Sequence, residues 1–128
     1  MARRTGLLHT LLALDTEPAL LGHPGVGASW EGFAMQEIVR ILRVDWDRCY
    51  YWATQQGAEL DLLVFAGGQR IGFEFKRTSA PRLTRSMRSA LADLRLERLY
   101  VVFPGSSRFR LAERVEAVGL TAACADGL

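Results

Sequence analysis

The sequence predicts an α/β domain in which a mixed β-sheet is flanked by helices, and three observations carry that prediction. Apolar residues recur at helical spacing in two stretches, 30–43 and 82–95. Short runs rich in aromatic and aliphatic residues lie between them, at 49–54, 58–66 and 69–77, and another follows at 98–103. Gly67-Gly68 separates two of these runs by two residues, which makes an antiparallel hairpin, whereas a helix between two strands is a crossover that joins parallel ones. A chain that contains both connections builds a mixed sheet, in the order helix, three strands, helix, strand.

Taken along the chain, residues 6–14 read as a short leading helix. Residues 15–29 read as a loop rich in glycine and proline (Gly22, Pro24, Gly25, Gly27), so 1–29 precede the main body. Ser29 suits the N-cap of the next helix. That helix carries Trp30, Ala34, Met35, Ile38, Ile41 and Leu42 on one arc, with Gln36, Arg40 and Arg43 opposite. The second helix places Leu83, Met87, Ala90, Leu91 and Leu94 on one face and Arg82, Arg85, Arg88 and Arg95 off it. Pro104-Gly105 ends the strand at 98–103, segments near 108–111 and 114–119 add short strands, and 121–128 read as a frayed tail.

A length of 128 residues suits one domain, 1–128, with a proper core, and 49% apolar with 23% charged residues is the balance of an ordinary globular protein. No apolar run approaches the ~18 residues of a membrane span, and the N-terminus lacks the pattern of a signal peptide. The expectation is a cytoplasmic protein with no membrane partner, whose Cys49 and Cys124 are free thiols. His9 and His23 match no zinc spacing.

The chemistry concentrates in the hairpin. A two-residue turn at Gly67-Gly68 pairs residues 66 and 69 and thereby sets Asp61 directly opposite Glu74. Side chains so placed have Cβ atoms roughly 4.5–5.5 Å apart, where like charges destabilise the pair. Two such carboxylates call for a cation, and the candidates are a divalent metal and Lys76, which shares the face of Glu74. Alternation puts Leu60, Leu62 and Val64 on one face of the strand and Asp61 with Leu63 and Phe65 on the other, so Asp61 is buried and in need of a partner. Of 16 basic residues 15 are Arg, and the single Lys is Lys76. A compact ammonium there suggests a role that a guanidinium cannot fill. An acid opposite Glu-x-Lys is the core of a metal-dependent phosphodiesterase site.

Each reading has a plainer rival. Asp61 could form a salt bridge to Lys76 or an arginine, and the same register sets Glu59 opposite Lys76 as a structural ion pair. Glu31 falls inside the apolar arc of the first helix, which brings it toward the sheet. An acid in a first turn also interacts favourably with the helix dipole. Arg77, Arg82, Arg85 and Arg88 follow the acidic motif and suit phosphate contacts, or form an ordinary solvated face. Trp46, Tyr50, Tyr51 and Trp52 read as core and edge residues.

Through Glu31, Asp61 and Glu74-Phe75-Lys76 the chain resembles the PD-(D/E)XK nuclease superfamily, although Leu60 stands where the motif has proline. More specifically, Gly27-Ala28-Ser29-Trp30-Glu31-Gly32-Phe33, Gly57-Ala58-Glu59-Leu60-Asp61 and Phe73-Glu74-Phe75-Lys76-Arg77-Thr78-Ser79-Ala80-Pro81 resemble a domain of unknown function. That domain is the C-terminal part of predicted bacterial and archaeal AAA+ ATPases. The resemblance, over roughly residues 5–120, implies a restriction-endonuclease-like αβββαβ core. It also implies a Mg²⁺-dependent deoxyribonuclease, an endonuclease acting on DNA without sequence preference. The metal, Mg²⁺ or Mn²⁺, would be held by Asp61, Glu74 and the Phe75 carbonyl, with Glu31 holding a second metal or a metal-bound water. Lys76 would position the attacking water, and Arg77, Arg82, Arg85 and Arg88 would contact DNA. An AAA+ ATPase module would act in cis or in trans, since no phosphate-binding Gly-x-x-x-x-Gly-Lys-Ser/Thr loop occurs here and the chain is then a piece or a free-standing version. Pairing of two copies into a homodimer stays open. The alternative is a catalytically silent nuclease-fold module that binds or regulates the ATPase, and a toxin–antitoxin or defence role is a third reading.

Overall fold

The computed structural model describes residues 30–128 together with the backbone of a strand at 9–13. Seven strands form a single sheet: β1 (His9–Ala13), β2 (Cys49–Thr54), β3 (Glu59–Ala66), β4 (Gln69–Phe75), β5 (Arg98–Phe103), β6 (Arg108–Ala112) and β7 (Val115–Gly119). Three helices accompany it: α1 (Trp30–Leu42), α2 (Arg85–Leu94) and α3 (Leu120–Asp126). The strand order is β1-β2-β3-β4-β5-β7-β6. Pairing is antiparallel from β1 to β4, parallel from β4 to β5 and from β5 to β7, and antiparallel again at β6. The expected mixed α/β sheet is therefore present, with α2 as the crossover between parallel neighbours.

The hairpin forms as its turn dictates. Gly67 and Gly68 both have positive φ, 58° and 78°, the pair of left-handed residues that a type I′ turn requires. Ala66 then pairs with Gln69 and Leu62 with Phe73. Two apolar layers cover the sheet. On one side Ala34, Met35, Ile38 and Val39 of α1 and Ala123 of α3 pack on Leu62, Val64, Phe73 and Val102. On the other, Met87 and Ala90 of α2 pack on Leu60, Leu63, Leu99 and Val101.

Three elements differ from the sequence reading. Residues 9–13, expected within a helix over 6–14, form β1 against β2. The leucines favour helix locally, but the open edge of β2 offers backbone donors and acceptors, and pairing with it overrides propensity. Residues 121–128, expected to fray, mostly form α3, whose Leu120 and Ala123 are buried. α2 begins three residues later than expected, because the Thr84 hydroxyl accepts from Met87 N–H and caps the helix there. The Ser29 cap and the loop over 15–29 lie outside the described residues. Cys49 and Cys124 are free thiols, as expected. Among the described residues no helix is long and apolar enough to cross a membrane.

Candidate functional site

Beyond Leu62 and Phe73 the β3–β4 ladder stops, and side chains take over its hydrogen bonds. The Asp61 N–H donates to Glu74 Oε2 at 3.1 Å, and the Phe75 N–H donates to Asp61 Oδ2 at 2.9 Å. Each carboxylate thus grips the backbone of the opposite strand. β4 meanwhile stays attached to β5, since the Lys76 N–H donates to the Val102 carbonyl at 2.9 Å. The strands part on the β3 side only, and the two acids occupy the gap.

A β-bulge prepares this geometry. β2 and β3 hold one register at Tyr50–Leu63 and another at Trp52–Leu60, so Tyr51 alone spans Asp61 and Leu62. The slip breaks strict alternation: Leu60 packs with Leu63 on the α2 side, while Leu62 packs with Val64 on the α1 side. This corrects the sequence reading, which put Leu60 on the face of Leu62 and Asp61 on the face of Leu63. A period of two cannot survive an extra residue.

Burial and mutual repulsion set the electrostatics. Glu74 is 5% exposed, the one charged residue that is buried among the described residues. Burial first, and the neighbouring Asp61 second, push its carboxyl from 4.5 up to about 8, against the pull of Lys76 and the Asp61 N–H. Burial also raises Asp61; the Phe75 N–H and Lys76 oppose it, and the charges of Glu59 and Glu31 reinforce it. The Lys76 ammonium lies 3.6 Å from Glu74 Oε1 and is 45% exposed, so it serves the acids from the solvent side. The ion pair of Lys76 is thus with Glu74, and Glu59 is hydrogen-bonded instead to the Tyr51 hydroxyl.

The structure therefore brings Asp61, Glu74, Phe75 and Lys76 together. Glu31, half-buried in the first turn of α1, is near enough for its charge to act on Asp61. Arg77, Arg82, Arg85 and Arg88 are all exposed, on the segment that leaves β4 beside the acids and on α2. Sequence reasoning missed Tyr51, which is hydrogen-bonded to Glu59 and feels the charges of Asp61 and Glu74. No signal in the sequence points to it, because its facing residues are set by the register slip between β2 and β3.

As a metal site the donor set is two carboxylates and one main-chain carbonyl, because Phe75 presents its carbonyl along the same strand edge as its N–H. Among the described residues no three His, Cys, Asp or Glu side chains form a group that could hold a metal ion. The donors are hard oxygens, the kind Mg²⁺ and Mn²⁺ prefer. One oxygen of each acid accepts a backbone N–H, so a cation would meet Asp61 Oδ1 and Glu74 Oε1, the latter shared with the Lys76 ammonium. Burial raises the proton affinity of both acids, and by the chemistry of their oxygen donors the residues fit such a group.

Residues 26–123 match a family described as a domain of unknown function, DUF4143. The chain is 53% identical over 116 residues to "Uncharacterized protein Mb2031c" of Mycobacterium bovis, a match covering 91% of this chain and 26% of that protein. The same figures hold for "Uncharacterized protein Rv2008c" of Mycobacterium tuberculosis. The chain thus spans about a quarter of the length of the curated relatives it matches. No solved structure matches it.

Proposed function

The chain belongs to the DUF4143 family, and from that premise we propose that it is a metal-dependent DNA endonuclease-like domain of restriction-endonuclease-like fold that hydrolyses phosphodiester bonds. The observation that carries the reading is the crossed pair of carboxylates: Asp61 and Glu74 sit in a gap between neighbouring strands, with Lys76 Nζ 3.6 Å from Glu74. Two buried acids held against each other are costly unless a cation joins them, and the fold keeps them there with backbone hydrogen bonds. Asp61, Glu74 and the Phe75 carbonyl would hold Mg²⁺ or Mn²⁺, which when bound polarises the phosphodiester and acidifies an attacking water. The β3–β4 backbone fixes the spacing of the acids before any substrate arrives. Lys76, half in solvent, reaches the phosphate and offsets the negative charge that grows on it during attack. Glu31 adds negative charge on the α1 side and helps order water around the cation. Arg77, Arg82, Arg85 and Arg88 attract the phosphate backbone without reading bases. An AAA+ ATPase module would act in cis, within a longer protein, or in trans as a partner.

One observation favours a second reading. Lys76 Nζ lies 3.6 Å from Glu74 Oε1, so the chain itself supplies a positive charge to the acids. A module that no longer cleaves, retained for binding or regulation of the ATPase, would keep that arrangement.

The test is cleavage of supercoiled, linear and branched DNA with Mg²⁺ or Mn²⁺, the wild type beside Lys76→Ala. We expect the wild type to cut and the variant to lose about 10²–10³-fold, the usual effect of removing a group that stabilises developing charge. Absence of cutting by either protein, without stabilisation by the metal, moves the assignment to the silent module. Equal cutting by both sinks the role of Lys76.

A further inference from the structure

The bulge gives the site a neighbour that the nuclease reading does not use. Tyr51 faces the doubled residues Asp61 and Leu62 across β2 and β3. Two residues further along β2, Ala53 pairs with Glu59. Tyr51 and Glu59 are therefore diagonal neighbours across the ladder, a separation a tyrosine can bridge. The Tyr51 hydroxyl is hydrogen-bonded to the Glu59 carboxylate. Glu59 lies exposed at the start of β3, and its charge acts on Asp61. Without an anchor, an exposed glutamate samples many rotamers and swings away from a like charge. The hydrogen bond to the phenol restricts it.

We propose that Tyr51 is a positioning residue that fixes Glu59 beside Asp61, so that Glu59 serves the bound divalent cation as an outer carboxylate, accepting a hydrogen bond from a water of its hydration shell. This rests on the cation reading of Asp61 and Glu74. The logic is that of any metal site: Mg²⁺ and Mn²⁺ keep several waters, and groups that orient those waters contribute to affinity as the direct ligands do. The arrangement also explains why a tyrosine occupies this spot on β2. A purely apolar residue there would leave Glu59 unheld.

The experiment is calorimetric titration of the intact chain with Mn²⁺ at pH 8, for the wild type, Tyr51→Phe, Glu59→Gln and the double variant, with thermal midpoints recorded in EDTA. We expect Tyr51→Phe and Glu59→Gln each to weaken Mn²⁺ binding by about tenfold, the low end for groups that orient metal ligands. The double variant should bind like Glu59→Gln alone, because Tyr51 acts through Glu59. In EDTA, Glu59→Gln should raise the midpoint, since it removes a like charge beside Asp61, and Tyr51→Phe should leave it nearly unchanged. A merely structural pair would show the opposite split, lower midpoints with unchanged Mn²⁺ affinity, and that result overturns the proposal. Additive losses in the double variant overturn it too. If the wild type binds Mn²⁺ no better than Asp61→Asn, the cation reading itself fails and takes this inference with it. Wild-type binding that Tyr51→Phe leaves intact defeats only the role of Tyr51.

Discussion

The two halves of the β3–β4 hairpin treat the same backbone differently. From Leu62–Phe73 to Ala66–Gln69 the strands pair residue by residue, and the side chains of Leu62, Val64 and Phe73 are wholly buried. Beyond Leu62 and Phe73 the ladder gives way, and the freed N–H groups of Asp61 and Phe75 go to carboxylates. The first half gains stability from apolar burial. The second half spends burial on two like charges, which raises their proton affinity. The comparison teaches that a stable register at the turn lets the far end carry an arrangement that could not stand alone.

Breaking the stable half should produce the largest effect. Phe73 is fully buried and stacked on Tyr100 at 5.4 Å between ring centroids. Phe73→Ala should cost about 3–5 kcal/mol in chemical denaturation, with loss of site function only through loss of fold. No gain in Mn²⁺ affinity should accompany it.

The acidic half should show itself through pH. The folded protein keeps a proton on Glu74 that the unfolded chain has released, so between pH 4.5 and about 8 the folded state binds more protons. Stability in EDTA should therefore fall as pH rises through that window and level off above it. Glu74→Gln should flatten this slope and raise the thermal midpoint at pH 8. Mn²⁺ competes with the same proton, so its stabilisation of the wild type should grow over the same range. A thermal midpoint in EDTA that rises from pH 5 to pH 8 would contradict the electrostatics described here.

Surface charge should matter least to the fold. Arg88 is exposed on α2, and Arg88→Ala should change stability by less than about 0.5 kcal/mol. If it meets DNA, the variant should bind every sequence a few-fold more weakly and reduce the salt dependence by about one counterion. An unchanged salt dependence would return this face to ordinary solvation.

Much of this was legible in the residues themselves. Gly67-Gly68 sets the hairpin register, and that register puts Asp61 across from Glu74. The periodicity of 30–43 and 82–95 located both large helices. What failed did so for identifiable reasons. Leucine-rich residues 9–13 carry a helical preference that only the unpaired edge of β2 overrules. α3 is short, and its burial against the α1 layer is tertiary, so Leu120 and Ala123 give no local sign of it. The bulge at Asp61 is invisible to alternation, since the surrounding residues are apolar on both faces. Tyr51 was read as an edge residue because its partner Glu59 becomes a neighbour only once the slipped register is known.

The central claim is that the parted end of the hairpin holds a divalent cation. The most direct measurement is electron paramagnetic resonance of Mn²⁺ titrated into the wild type and Asp61→Asn at pH 8. Saturable binding by the wild type that Asp61→Asn abolishes is the predicted result. Equal binding by both proteins, or none by the wild type, would contradict it.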